Sequence, residues 1–133
     1  MDWTPLIEAA WRARDRSYSP FSGFAVGAAL LARDGSIHVG CNVENRSYGL
    51  TVCAERTAVC SAVAAGCRDF VALVVAADAE PPARPCGMCL DTLAEFDPDL
   101  PILLVNRQGE QVELRGRELL TQPFRFPERG DRR

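Results

Sequence analysis

Apolar residues recur at helical spacing in three separate stretches of the chain. The first covers residues 3–16, with Thr4 as its expected N-cap. The second, residues 54–65, is rich in alanine and stops before Gly66, the residue type that most readily adopts the positive φ found after a helix. The third covers residues 87–96 and ends before an Asp-Pro pair. These patterns predict three helices.

Between the helices lie short apolar or alternating runs, which predict strands over residues 25–32, 36–42, 70–77, 101–105 and 111–114. The Asp34-Gly35 pair between the first two runs is typical of a hairpin turn. A short helical turn is expected over residues 116–120. The order α-β-β-α-β-α-β-β with a final helical turn predicts an α/β fold, a three-layer α/β/α sandwich around a five-stranded mixed sheet.

Composition and charge narrow the class of protein. The chain has 133 residues, 47% of them hydrophobic and 25% charged, which fits one folded domain over residues 1–133 with a short flexible tail at about 127–133. The net charge of −3 does not fit a non-specific nucleic-acid binder, so no nucleic-acid partner is expected. No apolar run reaches the ~18 residues of a membrane helix. The start of the chain lacks the features of a signal peptide, so we expect a cytoplasmic protein without membrane contact.

Three of the six cysteines have the spacing of a metal site. Cys86 and Cys89 can present two thiolates from one helical turn, and Cys53 supplies a third. Three protein ligands leave one tetrahedral position open, which is typical of catalytic zinc. Glu55 follows a ligand by two residues and can move protons at the metal without binding it. The sequence therefore predicts one Zn²⁺ per chain with Glu55 as its catalytic partner.

Other readings of these cysteines remain open at this point. Cys86 and Cys89 alone could form a redox pair, although no thioredoxin-like βαβ unit surrounds them. A structural zinc site would need a fourth ligand from the remaining cysteines, which we instead expect to be small buried apolar residues: Cys41, Cys60 and Cys67. His38, the single histidine, is expected at a solvated strand position.

Several longer stretches resemble one family. The sequence is similar to the zinc-dependent cytidine deaminases of the small, homotetrameric, free-nucleoside type, a class of zinc deaminase. The resemblance lies in Tyr18-Ser19-Pro20-Phe21-Ser22, Phe24-Ala25-Val26-Gly27-Ala28-Ala29-Leu30, Gly40-Cys41-Asn42-Val43-Glu44-Asn45, Ser47-Tyr48-Gly49-Leu50, Cys53-Ala54-Glu55-Arg56-Thr57-Ala58 and Pro85-Cys86-Gly87. It implies hydrolysis of cytidine and 2′-deoxycytidine to the corresponding uridines, with release of ammonia. Zinc would activate the water and Glu55 would shuttle protons.

The resemblance also implies roles for individual residues. Asn42 and Glu44 would bind the ribose 3′-hydroxyl, and Phe24 would pack on the pyrimidine. Backbone groups near Ala54 would address the edge of the base, and Arg56 would support a thiolate. Loop capping by Asn42 and Glu44, core packing of Phe24 and a surface salt bridge of Arg56 are the structural alternatives.

The family closes its pocket with residues from neighbouring subunits. Phe124 matches the aromatic residue used in this way, and Tyr48 would line the same interface. The resemblance therefore implies a homotetramer whose sites are shared between chains, with a pyrimidine nucleoside as the small-molecule partner.

One position departs from the family pattern. After the second cysteine of the pair the family carries Arg-Gln, whereas this chain has Leu90-Asp91. We expect the acidic residue, Asp91, in the first turn of the helix. This departure keeps open a modified cytosine nucleoside or a blasticidin-type aminopyrimidine as the substrate. A non-catalytic zinc-binding protein is the alternative of another class, and the intact Glu55 argues against it.

Overall fold

The computed structural model describes residues 1–125, so the tail predicted at about 127–133 lies outside the described residues. Its elements follow the predicted order: α1 (Thr4–Arg14), β1 (Val26–Ala32), β2 (Ile37–Cys41), a 3-10 turn (Tyr48–Leu50), α2 (Ala54–Ala64), β3 (Phe70–Ala77), α3 (Gly87–Phe96), β4 (Pro101–Val105), β5 (Gln111–Arg115) and α4 (Gly116–Leu119).

The five strands form one mixed sheet in the order β2-β1-β3-β4-β5. β1 runs antiparallel to both neighbours, with Ala28 opposite Gly40 in β2 and Val75 in β3. β3 and β4 are parallel and are connected through α3, as a crossover between parallel strands requires. β5 returns antiparallel to β4. The predicted fold class, an α/β sandwich with a mixed sheet, is confirmed.

Both faces of the sheet are covered, because successive side chains of a strand point to opposite sides. On one face, α1 packs through Leu6 and Ala10 in a buried cluster with Ala29, Val74 and Leu103. On the other face, α2 and α3 contribute to the larger cluster of Ala28, Leu30, Ala54, Ala58, Val59, Ala62, Phe70, Leu73, Val75, Leu93, Leu100, Ile102 and Leu104. This second face carries the helices on which the predicted metal ligands lie.

The observed helix ends can be compared with those predicted from the capping residues in the sequence. Gly66 has φ of +92° after α2, as predicted. At α1 the prediction was wrong by one residue: Trp3 is the N-cap and Thr4 is already helical, while the Thr4 amide is bound by the side chain of Asp2 at 3.0 Å. No helix within residues 1–125 is long and apolar enough to cross a membrane.

Candidate active site

Three cysteines converge where α2 and α3 begin. Cys53 is the N-cap of α2, Cys86 is the N-cap of α3, and Cys89 lies in the first turn of α3. The Sγ atom of Cys86 is 3.6 Å from that of Cys53 and 3.5 Å from that of Cys89, and all three lie within 4.8 Å of one another. Cys86 therefore contacts both neighbours equally, which fits a three-ligand site better than an isolated redox pair.

The surroundings of the cluster favour thiolates. The positive ends of two helix dipoles point at it, because its members occupy helix N-termini. A hydrogen bond from Cys89 lowers the pKa of Cys53 to about 5, with Arg56 and Cys86 adding to the effect. The same bond raises the pKa of Cys89, because its proton is shared with the Cys53 thiolate. Without a cation these shifts favour a thiolate at Cys53 and a thiol at Cys89.

Arg56 supplies the nearest positive charge. Its Nη2 atom donates to the carbonyl of Thr51 at 3.2 Å and to Sγ of Cys53 at 3.9 Å. It contacts a thiol and a carbonyl rather than a carboxylate, so the surface salt bridge considered for it is not formed among the ion pairs of the described residues.

The donor set fits zinc. Zn²⁺ binds cysteine thiolates in tetrahedral sites, and a divalent cation would favour ionisation of Cys89, whose pKa is raised in its absence. In the described part of the chain, this trio is the one group of at least three Cys, His, Asp or Glu side chains close enough to hold an ion. Three donors leave a fourth position open, so the arrangement is that of a catalytic rather than a structural metal site.

None of the three remaining cysteines supplies a fourth ligand to this cluster. The Cys41 thiol contacts the Arg16 carbonyl, the Cys67 thiol contacts Asp34, and Cys60 is exposed on α2. The prediction that these three are buried apolar residues was wrong, because Cys41 and Cys67 are only half-buried at polar contacts. His38 is half-buried, with Nε2 2.9 Å from the Ser36 hydroxyl rather than at the cluster.

Glu55 is a buried acid in the first turn of α2, with 4% of its surface exposed. Burial raises its pKa to about 7, and the Cys53 thiolate adds to the rise, while its own backbone amide and Arg56 oppose it. A carboxyl group that titrates near neutrality can both accept and donate a proton, which is the requirement for general acid–base catalysis.

Asn42 and Glu44 hold a neighbouring loop. The Asn42 carbonyl oxygen accepts from the Ser17 hydroxyl and the Val26 amide, and its amide donates to the Phe24 carbonyl at 2.8 Å. The Glu44 carboxylate accepts from the amides of Phe21 and Ser22 and from the Ser22 hydroxyl. Hydrogen bonds from Ser22 hold the pKa of Glu44 below its usual range.

Loop capping, one of the alternatives for these two residues, is therefore present in the structure. Their partners Ser17 and Ser22 were missed in the sequence analysis. Only their position in a turn-rich segment, residues 17–23, hinted at such contacts.

The aromatic candidates lie at the surface. Phe24 is 40% exposed, which rules out simple core packing, and Tyr48 and Phe124 are each 75% exposed. The ring of Tyr48 meets that of Phe21 edge to face, with centroids 6.1 Å apart. Ala54 is fully buried as the first residue of α2, next to Cys53.

Leu90 and Asp91 replace the family's Arg-Gln, and Asp91 occupies a different part of α3 from the one predicted. α3 begins at Gly87 and has no acid in its first turn, so Asp91 falls in the second turn, where it is exposed. Leu90 is 9% exposed and packs into the protein. The prediction that Asp91 lies in the first turn is therefore wrong, and Asp91 does not stabilise the helix N-terminus, because an acid does so only within the first turn.

Comparisons with known proteins agree with this geometry. Residues 3–104 match the family described as the cytidine and deoxycytidylate deaminase zinc-binding region. Two proteins named cytidine deaminase are each 48% identical to this chain. One, from Sporosarcina psychrophila, aligns over 93% of this chain and 92% of its own length, and the other, from Halalkalibacterium halodurans, over 98% and 100%. A crystal structure of cytidine deaminase from Burkholderia pseudomallei superposes with a TM-score of 0.90 at 46% identity, covering 93% of this chain and all of the other.

Proposed function

This chain belongs to the cytidine deaminase family, and we propose that Cys53, Cys86 and Cys89 hold its zinc while Glu55 moves the protons of the reaction. The protein is a zinc-dependent cytidine deaminase, which hydrolyses the 4-amino group of a pyrimidine nucleoside and releases ammonia. The observation that carries the residue assignment is the convergence of three thiols beside one buried carboxyl group at the start of α2.

Zinc, when bound, supplies the Lewis acidity that makes water a nucleophile near neutral pH. The protein's part is to hold the metal and to deliver protons. Arg56 offsets part of the charge of three thiolates, since its guanidinium reaches Sγ of Cys53. A less negative ligand set leaves the metal a stronger Lewis acid.

Glu55 takes the proton released by the attacking water and passes it to N3 of the pyrimidine, which makes C4 more electrophilic. After the water oxygen has bonded to C4, Glu55 takes the remaining proton of that hydroxyl and delivers it to the amino nitrogen. The C4–N bond then breaks, ammonia leaves, and the oxygen becomes the C4 carbonyl of the uridine product. Its burial supports this role, because a carboxyl group whose pKa is about 7 changes its protonation state at little cost near neutral pH.

Asn42, Glu44, Phe24 and Ala54 form the proposed substrate subsite. We assign the half-buried carboxylate of Glu44 to the ribose 3′-hydroxyl. Asn42, at 8% exposure, donates one amide hydrogen to the Phe24 carbonyl and keeps the other for the same hydroxyl. The half-exposed ring of Phe24 offers a face for the pyrimidine. The backbone at Ala54 addresses the base, because it directly follows the ligand Cys53.

The site is proposed to be shared within a homotetramer. Tyr48 and Phe124 are each 75% exposed, and Tyr48 contacts Phe21, which is 48% exposed. Contiguous exposed apolar side chains such as Phe21 and Tyr48 mark interaction surfaces. In this arrangement Phe124 of one subunit closes the pocket of another, and Tyr48 lines the contact. The test is whether the activity depends on assembly.

The substrate assignment is tested with a panel: cytidine, 2′-deoxycytidine, cytidine 5′-monophosphate and blasticidin S, each followed by loss of ultraviolet absorbance and by ammonia release. We expect both nucleosides to be deaminated and the nucleotide to be rejected, because the Glu44 carboxylate repels a nearby phosphate. Faster turnover of blasticidin S than of cytidine would assign the site to the aminopyrimidine alternative. Zinc-loaded protein that releases ammonia from none of the four compounds would support the non-catalytic alternative.

A further inference from the structure

We propose that Thr57 is a positioning residue, whose hydroxyl fixes the first turn of α2 against the end of β2 and so aligns Glu55 with the substrate-binding segment. Its Oγ1 atom lies 2.8 Å from the carbonyl oxygen of Cys41 in β2 and 2.9 Å from that of Ala54 in its own helix. The bond to Cys41 joins two separate elements by a side chain. The inference rests on the proposed function of Glu55.

The Thr57 hydroxyl has one hydrogen for two acceptors. The Ala54 carbonyl lies at the start of α2, where it is the regular helical acceptor for the amide of Ala58, so it does not depend on Thr57. The Cys41 carbonyl is at the end of β2, which is the edge strand of the sheet. Edge strands present backbone groups that no further strand can satisfy. The hydrogen bond from Thr57 therefore stabilises the structure more at the Cys41 carbonyl than at the Ala54 carbonyl.

Gly40 makes this contact possible. A Cβ atom at Gly40 would lie 2.3 Å from the amide nitrogen of Ala58, 2.3 Å from Oγ1 of Thr57 and 2.4 Å from the carbonyl oxygen of Ala54. The first turn of α2 therefore rests directly on the backbone of β2, with no side chain between them. In such close packing a hydroxyl that bridges helix and strand determines where the helix sits along the strand.

The two elements carry the two halves of the site. The first turn of α2 carries the metal ligand Cys53 and the acid–base group Glu55, whereas β2 leads directly into Asn42 and Glu44. Thr57 is on α2 two residues after Glu55, and Cys41 is the residue before Asn42. Their hydrogen bond thus ties the proton-transfer group to the nucleoside-binding segment. A shift of α2 along β2 would change the distance from Glu55 to the pyrimidine, and misplacement by about 1 Å can cost up to ~10²-fold in rate.

The test compares Thr57→Val, which keeps the shape and loses the hydroxyl, with Thr57→Ser, which keeps the hydroxyl. The matched control is Thr92→Val, because the Thr92 hydroxyl donates at 2.8 Å to the Met88 carbonyl of its own helix and joins no second element. Each variant is purified with zinc, and zinc content, melting temperature, kcat and KM for cytidine are measured. Thr57→Ala is prepared in parallel, so that the comparison stands if the valine variant fails to fold.

We expect kcat of Thr57→Val and Thr57→Ala to fall about tenfold or more at unchanged zinc content, and Thr57→Ser and Thr92→Val to stay within about twofold of the wild type. A valine or alanine variant with a lower melting temperature and wild-type kcat would overturn the proposal in favour of a purely structural role. A serine variant as slow as the valine variant would also overturn it. Glu55→Gln is assayed alongside: if it is inactive while Thr57→Val is not, the inference on Thr57 fails alone, whereas an active Glu55→Gln overturns the underlying proposed function.

Discussion

Val43 and Val52 exchange a pair of backbone hydrogen bonds, each 2.9 Å from amide nitrogen to carbonyl oxygen. Val43 separates Asn42 from Glu44, and Val52 directly precedes Cys53. This short bridge therefore joins the proposed nucleoside-binding segment to the first metal ligand through the main chain alone. The backbone pairing thereby fixes the position of the Asn42–Glu44 segment relative to Cys53.

The first prediction concerns metal loading. Replacing Cys86 by alanine removes the thiol that contacts both other members of the cluster, so we expect zinc content to fall from one per chain to a small fraction. The melting temperature should fall too, because metal binding contributes to folding. Cys60→Ala, which removes an exposed cysteine of α2, is the control and should keep both values. A Cys86→Ala protein with full zinc content would exclude Cys86 as a ligand.

The second prediction concerns Arg56. Its removal takes away a hydrogen bond and a positive charge that lower the pKa of Cys53, so the pKa of that thiol should rise from about 5. Since zinc binds the thiolate, Arg56→Ala should weaken zinc binding about 10–100-fold, as loss of a group that supports a ligand commonly does. The loss should be larger at slightly acidic pH than at alkaline pH. Competition with a chelator at the acidic and the alkaline pH measures the loss of zinc affinity. Equal zinc affinity of the variant and the wild type at acidic pH would contradict the role of Arg56 in supporting the Cys53 thiolate.

A third prediction separates Asn42 from Glu44. Asn42→Ala leaves the partly buried partners of Asn42, among them the Val26 amide, without a hydrogen bond, so we expect a loss of about 1–3 kcal/mol in the free energy of unfolding. Glu44→Gln keeps the size of a half-buried side chain and one oxygen that can accept from the amides of Phe21 and Ser22, so we expect a smaller loss of stability than for Asn42→Ala, while KM for cytidine rises. Urea unfolding and steady-state kinetics on both variants provide the measurement. Equal KM for Glu44→Gln and wild type would remove Glu44 from the sugar subsite.

Assembly gives the fourth prediction. If Phe124 closes the pocket of a neighbouring subunit, Phe124→Ala should lower kcat/KM without altering the zinc content. The wild type should lose specific activity on dilution as the tetramer dissociates. Sedimentation measurements and activity over the same concentration range provide the comparison. A monomer with full activity would contradict a shared site.

The sequence predicted the elements whose signals are local. β3 and α3 match their predicted bounds. The ends of β3 are marked by the turn residues on either side of a continuous apolar run, and the end of α3 is marked by the Asp-Pro pair that stops the helix. The proposed metal ligands and Glu55 were predicted from their spacing and from the family resemblance. The structure then showed the three thiols adjacent and the acid buried.

The features that sequence analysis missed depend on contacts between distant segments. The Thr57 hydroxyl meets β2 only because Gly40 lets the helix approach, and Ser17 meets Asn42 across 25 positions of the chain. Asp91 was placed one turn too early although the start of α3 was predicted correctly, because the fifth residue of a helix with 3.6 residues per turn already lies in the second turn. The half-buried positions of Cys41 and Cys67 follow from polar contacts in the fold that composition does not reveal.

The most direct test of the account is the rate of cytidine deamination by Glu55→Gln, measured by ammonia release beside the wild type at equal, verified zinc content. The amide keeps the size of the side chain but cannot carry a proton between water, N3 and the amino group. We predict one zinc per chain in both proteins and a kcat at least ~10²–10⁴-fold lower in the variant. A zinc-loaded Glu55→Gln protein that deaminates cytidine within a few-fold of the wild-type rate would contradict the account, because another group would then be moving the protons.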